Sequence, residues 1–178
     1  MDIALKLANY TYEDYLSIDQ TTKERVELID GQIYMMAGAS ALHQDIVLNL
    51  GYLLKSISKK EKRCFPRIAP YDLKLQRGKD ISVVQPDVMI FCADKLPCAI
   101  FEVLSPSTAY KDKSIKKELY EANGIAEYFL VNIEFQTIDK FILLDEKYIY
   151  DRVYGVEDMM PIACVDSDIE VSEVFAEL

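Results

Sequence analysis

Two short apolar runs, each next to proline and each carrying a carboxylate, constrain this chain more than any other feature. Asp87 follows Pro86 and opens Asp87-Val88-Met89-Ile90-Phe91, and Glu102 lies inside Cys98-Ala99-Ile100-Phe101-Glu102-Val103-Leu104. Apolar runs of this length between turn signals read as buried central strands. A carboxylate in such a strand costs several kcal/mol unless a cation, a strong donor or a proton compensates it. Two of them in neighbouring strands point to a divalent metal, and oxygen donors with water suit Mg²⁺ or Mn²⁺. On the strand pattern alone an equal alternative stands, in which Glu102 pairs with a lysine and Asp87 caps a turn.

The elements around these strands define the fold class. Thr11 caps a short helix through Leu16 or Ile18, with Glu13 and Asp14 in its first turn, where the helix dipole favours negative charge. Arg25–Asp30 and Gln32–Met36 form a hairpin around Asp30-Gly31. Ser40 opens a long amphipathic helix, because Leu42, Ile46, Leu50, Leu53, Leu54 and Ile57 recur at steps of three and four. Strands follow near Cys64–Ile68 and Tyr71–Gln76, with a polar turn at Arg77–Asp80. After the two central strands, Ser105-Pro106-Ser107-Thr108 starts a helix that runs to about Asn123 and is closed by Gly124. Strands at Tyr128–Asn132, Thr137–Leu144 and Lys147–Tyr154 and a short helix near Ser172–Ala176 complete the chain. With no repeat and no linker, the expectation is one α/β domain over residues 1–178. It is an α+β arrangement, a central mixed sheet flanked by helices, with an N-terminal helix and hairpin.

Charge narrows the partners. A net charge of −10 argues against a simple electrostatic DNA binder, but the charge is unevenly placed. Residues 145–178 hold ten acidic and two basic side chains, whereas residues 55–79 hold nine basic side chains against Glu61 and Asp72. That basic stretch serves equally well as a solvated helix end and hairpin or as a surface for backbone phosphates. The N-terminus has no basic region followed by an apolar stretch, and no uncharged run approaches the roughly 18 apolar residues of a membrane span, so a cytoplasmic location is expected. Cys64, Cys92, Cys98 and Cys164 are irregularly spaced, with no C-x-x-C pair and one histidine in the chain to complete a zinc set, and read as free, mostly buried thiols rather than as a disulfide framework or a structural zinc site. That lone histidine, His43, reads as a structural group near a helix start. Neither a phosphate-binding G-x-x-x-x-G-K-[ST] loop nor a G-x-G-x-x-G pattern occurs.

The helix after Thr108 adds chemistry. On a regular helix Ile115, Leu119 and Ala122 form the buried stripe, while Asp112, Lys116 and Tyr120 form a row along its edge. A lysine there, next to a strand-borne carboxylate, can orient an attacking water and stabilise charge on a phosphate. The plain alternative is an Asp112–Lys116 helix pair worth only a few tenths of a kcal/mol.

Taken together, these residues resemble the Uma-type restriction endonuclease family of the PD-(D/E)XK nuclease superfamily. The match runs from Tyr10-Thr11-Tyr12-Glu13-Asp14-Tyr15 to Ala126-Glu127-Tyr128-Phe129-Leu130-Val131. It includes Glu27-Leu28-Ile29-Asp30-Gly31, His43, Val84-Gln85-Pro86-Asp87-Val88, Phe101-Glu102-Val103-Leu104-Ser105-Pro106-Ser107-Thr108, and then Asp112, Lys116, Tyr120 and Gly124. The resemblance implies a restriction-endonuclease-like core in which Asp87 and Glu102 hold Mg²⁺ or Mn²⁺. Glu27 is implied as a third acidic ligand, though a plain salt bridge is an equal reading of it. The superfamily pattern puts a lysine two residues after the second carboxylate; that position is Leu104 here, and Lys116 stands in from the following helix. Tyr120 is implied to contact the metal shell or a phosphate oxygen. The expected activity is hydrolysis of phosphodiester bonds in nucleic acid, DNA first, by a homodimer. The alternative is a catalytically silent module of the same fold that binds nucleic acid or a protein.

Overall fold

The computed structural model describes residues 9–36 and 38–176, and they gather into two units. One is built from the chain up to Gly38 together with Asp72–Gln85, the other from Ala39–Tyr71 and from Pro86 onward. Along the chain run α1 (Tyr12–Thr21), β1 (Val26–Ile29), β2 (Gln32–Met35), α2 (Ala41–Glu61), β3 (Phe65–Ile68), β4 (Leu73–Arg77) and β5 (Asp80–Val84). Then come β6 (Val88–Phe91), β7 (Ala99–Leu104), α3 (Ala109–Lys111), a wide π turn (Asp112–Lys116) and α4 (Lys117–Ala122). The chain continues through β8 (Glu127–Asn132), β9 (Thr137–Leu144), β10 (Lys147–Tyr154), β11 (Met159–Ile162), β12 (Ser167–Glu170) and α5 (Val171–Val174).

In the first unit the Thr11 hydroxyl accepts the Asp14 N–H, and the Asp14 carboxylate accepts the Thr11 N–H at 2.8 Å. Two orphan helix donors are thus satisfied reciprocally. The helix continues past Ile18 to Thr21, longer than the sequence suggests. Asp30 and Gly31 join β1 to β2 with φ of 48° and 75°, as a two-residue loop of the type that matches strand twist requires. The sheet order is β2-β1-β5-β4, and Tyr15, Val26, Leu28 and Val83 pack together on it. Strand β5, which sequence reading passes over, buries Ser82, Val83 and Val84.

The second unit holds a six-stranded mixed sheet, ordered β10-β9-β8-β7-β6-β3. All its neighbours are antiparallel except β7 and β8, which run parallel because the segment from α3 to α4 carries the chain back across. Ile46, Leu50 and Leu54 of α2 pack with Val88, Ile90, Phe101, Val103, Phe129 and Val131. Within this cluster the rings of Phe101 and Phe129 stack at 4.3 Å. Side chains alternate along a strand, so Glu102, between Phe101 and Val103, points to the opposite face of β7. The ribbon of β11 and β12, unforeseen from sequence, adds Met160, Ile162 and Ile169 to the α2 side. No helix among the described residues is long and apolar enough to cross a membrane.

Three sequence expectations change. Ile115 is only half-buried and Ala122 is exposed, whereas Asp112, Lys116, Leu119 and Tyr120 are buried. The π turn winds the helix more widely between Asp112 and Lys116 and brings the polar row inward. The basic stretch of residues 55–79 divides between the two units, so it is not one continuous element. Finally, the cysteines are not free: Cys64 pairs with Cys92 and Cys98 with Cys164. Strand pairing explains the gathering, since Cys64 and Cys92 lie one step beyond the Phe65–Phe91 register pair of β3 and β6. Such juxtaposition leaves no trace in linear spacing.

Candidate metal and active site

Glu102 occupies the middle of β7, a strand whose every residue is buried, and its carboxylate is compensated from the crossover segment. The Lys116 ammonium lies 3.0 Å from Oε1, and the Tyr120 hydroxyl donates to the same oxygen at 2.7 Å. Lys116 is 3.7 Å from Oδ1 of Asp112, another buried carboxylate, whose Oδ1 has no hydrogen-bond partner. The chain therefore places a buried cation between two buried acids. Burial raises the Asp112 carboxyl above its ordinary pKa, and the Lys116 charge partly opposes this. Tyr128, whose hydroxyl donates to the Asp112 carbonyl at 2.9 Å, is raised well above the ordinary tyrosine value, mainly by burial.

Asp87 stands just before β6, where Pro86 ends one extended segment and the next begins. Its Oδ2 accepts the Val103 N–H at 2.7 Å, and its own N–H points to Oε2 of Glu102 at 3.4 Å. The two carboxylates are thus tied to each other's strand segments: Oε1 of Glu102 faces Lys116 and Tyr120, while Oε2 lies on the Asp87 side. His43, in the first turn of α2 after its cap Ser40, brings Nε2 to 3.3 Å from Asp87 Oδ2. That hydrogen bond raises the imidazole pKa, against a smaller opposing effect of burial.

Of the residues singled out from sequence, Asp87, Glu102, Lys116 and Tyr120 come together here. Glu27 lies in the first unit, fully buried on β1, with Oε1 accepting the Gln85 N–H at 2.9 Å. The Gln85 amide in turn donates to Asp72 at 2.8 Å. Leu104, where the superfamily places its lysine, is a buried apolar side chain. Sequence reasoning read His43 as a structural group near a helix start, without its partner Asp87, and did not foresee the burial of Asp112. The signal for His43 was its position three residues after a helix cap, which sets it at a helix end, but only tertiary pairing brings that end to Asp87. As donors, the two carboxylates of Asp87 and Glu102 offer oxygen ligands of the kind that hard divalent cations accept, while His43 Nε2 is engaged with Asp87. The buried Asp112 Oδ1, without a hydrogen-bond partner, is a further polar atom in the same neighbourhood.

The chain is similar to two uncharacterized proteins of Synechocystis sp. One, slr1290, is 29% identical over 176 residues, covering 93% of this chain and 91% of that protein. The other, sll1609, is 30% identical over 165 residues, with coverage of 84% and 87%. A crystal structure from Anabaena variabilis, described as a "putative nuclease", superposes with a TM-score of 0.73 at 16% identity, over 93% of this chain and 97% of that one. At that identity the likeness establishes the fold, a restriction-endonuclease-like mixed α+β architecture. Residues 12–169 match the profile of the Uma2 family, described as "Putative restriction endonuclease", and the chain belongs to that family.

Proposed function

We propose that this protein is a divalent-metal-dependent endonuclease that hydrolyses phosphodiester bonds in DNA, with Asp87 and Glu102 as metal ligands. The observation that carries the reading is the backbone lock between the two carboxylates. Val103 N–H holds Asp87 and Asp87 N–H meets Glu102, while Lys116 and Tyr120 both sit on the far oxygen of Glu102. A purely structural ion pair needs no second carboxylate fixed alongside it.

Bound Mg²⁺ or Mn²⁺ would supply charge neutralisation at the scissile phosphate and a water of lowered pKa. The chain's own groups do the rest. Lys116 carries a cation to the buried end of the site, where it orients a water and offsets charge growing on the phosphate. Tyr120 fixes the Oε1 rotamer of Glu102, so that the carboxylate presents Oε2 toward Asp87. His43 holds Asp87 through Nε2. Glu27, buried and tied to the backbone just before Pro86, is assigned the part of a third acidic group. Small single-domain nucleases usually cut both strands of a duplex with two subunits, and by that analogy the working form in this reading is a homodimer, placed in the cytoplasm.

A second reading has its own observation. Lys116 and Tyr120 already satisfy Glu102 Oε1, which is what a catalytically silent module binding nucleic acid or a protein partner would show. Plasmid nicking with Mg²⁺ or Mn²⁺, run beside calorimetric metal titration on wild type, Asp87→Ala and Glu102→Ala, separates the two. Metal binding and nicking lost together in both variants support the nuclease. No metal uptake by wild type leaves the silent module.

A further inference from the structure

The four cysteines lie in the second unit, away from the carboxylates, and come from four separate places in the chain. Cys64 precedes β3, Cys92 follows β6, Cys98 precedes β7, and Cys164 sits on the 3₁₀ turn (Ala163–Val165) after β11. Their convergence goes beyond the two pairs. Sγ of Cys92 is 3.4 Å from Sγ of Cys98, across the pairs, and the sulfurs of Cys92, Cys98 and Cys164 all lie within 4.8 Å of one another. Cys64 Sγ and Cys92 Sγ approach the same carbonyl, that of Cys164, at 3.8 and 3.6 Å. Two independent disulfides have no need to share one small volume.

A tetrahedral zinc thiolate, with Zn–S near 2.3 Å, sets its sulfurs about 3.8 Å apart. The Cys92–Cys98 spacing and the 4.8 Å envelope of the three sulfurs of Cys92, Cys98 and Cys164 bracket that value, and Cys64, outside that envelope but bonded to Cys92, supplies the fourth sulfur. The surroundings also fit. Glu127 accepts the N–H of Ala163 and of Cys164, both at 3.1 Å, and is itself held by Lys140 at 2.9 Å, so the turn that carries Cys164 is anchored from β8. Arg63 reaches the Cys164 carbonyl at 3.4 Å and supplies a positive charge beside what would be an anionic centre. Groups that fix the orientation of ligand-bearing backbone are the usual outer shell of a structural metal site.

We propose that, when reduced, Cys64, Cys92, Cys98 and Cys164 form a tetrathiolate site for a soft or borderline divalent cation of the zinc class. The oxidised and metal-bound forms are alternative states of one cluster. In going between them, each disulfide takes two electrons and two protons from a dithiol, which leaves as its own disulfide. The four thiols produced then release four protons as they bind one cation. The site is structural: four cysteine ligands leave no open position for substrate. It clamps the β3, β6 and β7 strand ends to the turn after β11, on the side of the sheet opposite Glu102.

Cobalt tests this on the full-length protein. The chain is reduced with excess dithiol, freed of reductant under argon, checked for four titratable thiols, and titrated with Co²⁺ alone. The expected result is thiolate-to-cobalt charge-transfer absorption that corresponds to one thiolate-bound Co²⁺ per chain, beside any cobalt held by Asp87 and Glu102, and that is bleached by Zn²⁺ and absent from the unreduced protein. Cys164→Ser, which alters a turn outside the main sheet, loses the one-to-one spectrum, whereas Asp87→Ala keeps it. Four free thiols with no charge-transfer band in wild type overturn the proposal, as does an unchanged band in both Cys164→Ser and Cys98→Ser. Because the wild-type spectrum is decisive by itself, a poorly folding variant does not blunt the test.

Discussion

Lys116 and Glu102 form an ion pair of 3.0 Å in which each side chain is only 3% exposed. A pair this deep is costly to break from one side, since the remaining charge is stranded in a medium that solvates it poorly. Lys116→Met is expected to lower unfolding free energy by about 3–5 kcal/mol. The double variant Lys116→Met/Glu102→Gln should be less destabilised than Lys116→Met alone, because the nearer of the two acids that Lys116 serves no longer carries a stranded charge. Denaturant unfolding of the four species measures the coupling directly, and additive losses would contradict it.

The lock between Asp87 and Glu102 makes a prediction about metal that requires no catalysis. A cation that binds only the folded chain raises its stability by mass action, about 2.7 kcal/mol when present at 100 times its dissociation constant. Thermal unfolding with saturating Mn²⁺ should therefore move to higher temperature for wild type and stay in place for Asp87→Ala. An equal shift in both would assign the binding to some other group.

The stacked rings of Phe101 and Phe129 sit on adjacent parallel strands, fully buried in the cluster that α2 covers. Phe129→Ala leaves a cavity under α2 and is expected to cost about 3–5 kcal/mol, while Phe129→Leu should cost less because most of the volume is kept. The ordering of the two midpoints in urea is the check.

An acid-sensitive contribution lies at Glu121. Lys147 donates to it at 2.7 Å and the Tyr148 N–H at 2.7 Å, and these bonds hold its carboxyl below the ordinary value of 4.5. A depressed pKa in the folded state stabilises above the unfolded value and is lost as pH falls through the folded one. Wild type should thus exceed Glu121→Gln in stability at neutral pH, and the gap should close once the solution is well below pH 4.5. A gap that persists unchanged in acid would place the effect in packing. The Lys147 side chain is largely exposed, so added salt should also shrink the gap.

Much of this molecule is legible in the chain, because the legible parts are local. The hairpin at Asp30-Gly31 follows from two residues that tolerate positive φ, and α2 follows from a cap at Ser40 and a three-four apolar rhythm. Glu102 is conspicuous because its strand is otherwise apolar. What escapes is set by pairing at a distance. Nothing in linear spacing predicts that Cys64 faces Cys92, that His43 meets Asp87, or that β11 and β12 close over α2. The face of the helix after Thr108 is misread for another reason. A constant 100° step assumes regular winding, and the winding changes between Asp112 and Lys116.

That change of winding bears on how distant relatives are aligned. A π turn is spatially equivalent to an ordinary helical turn with one residue inserted. A cousin without the insertion could keep its ammonium group at the same point against the β7 carboxylate while its lysine falls one place earlier in the count from Glu102. Patterns with fixed spacing would discard such a chain as lacking the basic residue, although nothing in the pocket had moved. Lysines in this lineage are therefore better matched by where the amino group ends than by how many residues precede it.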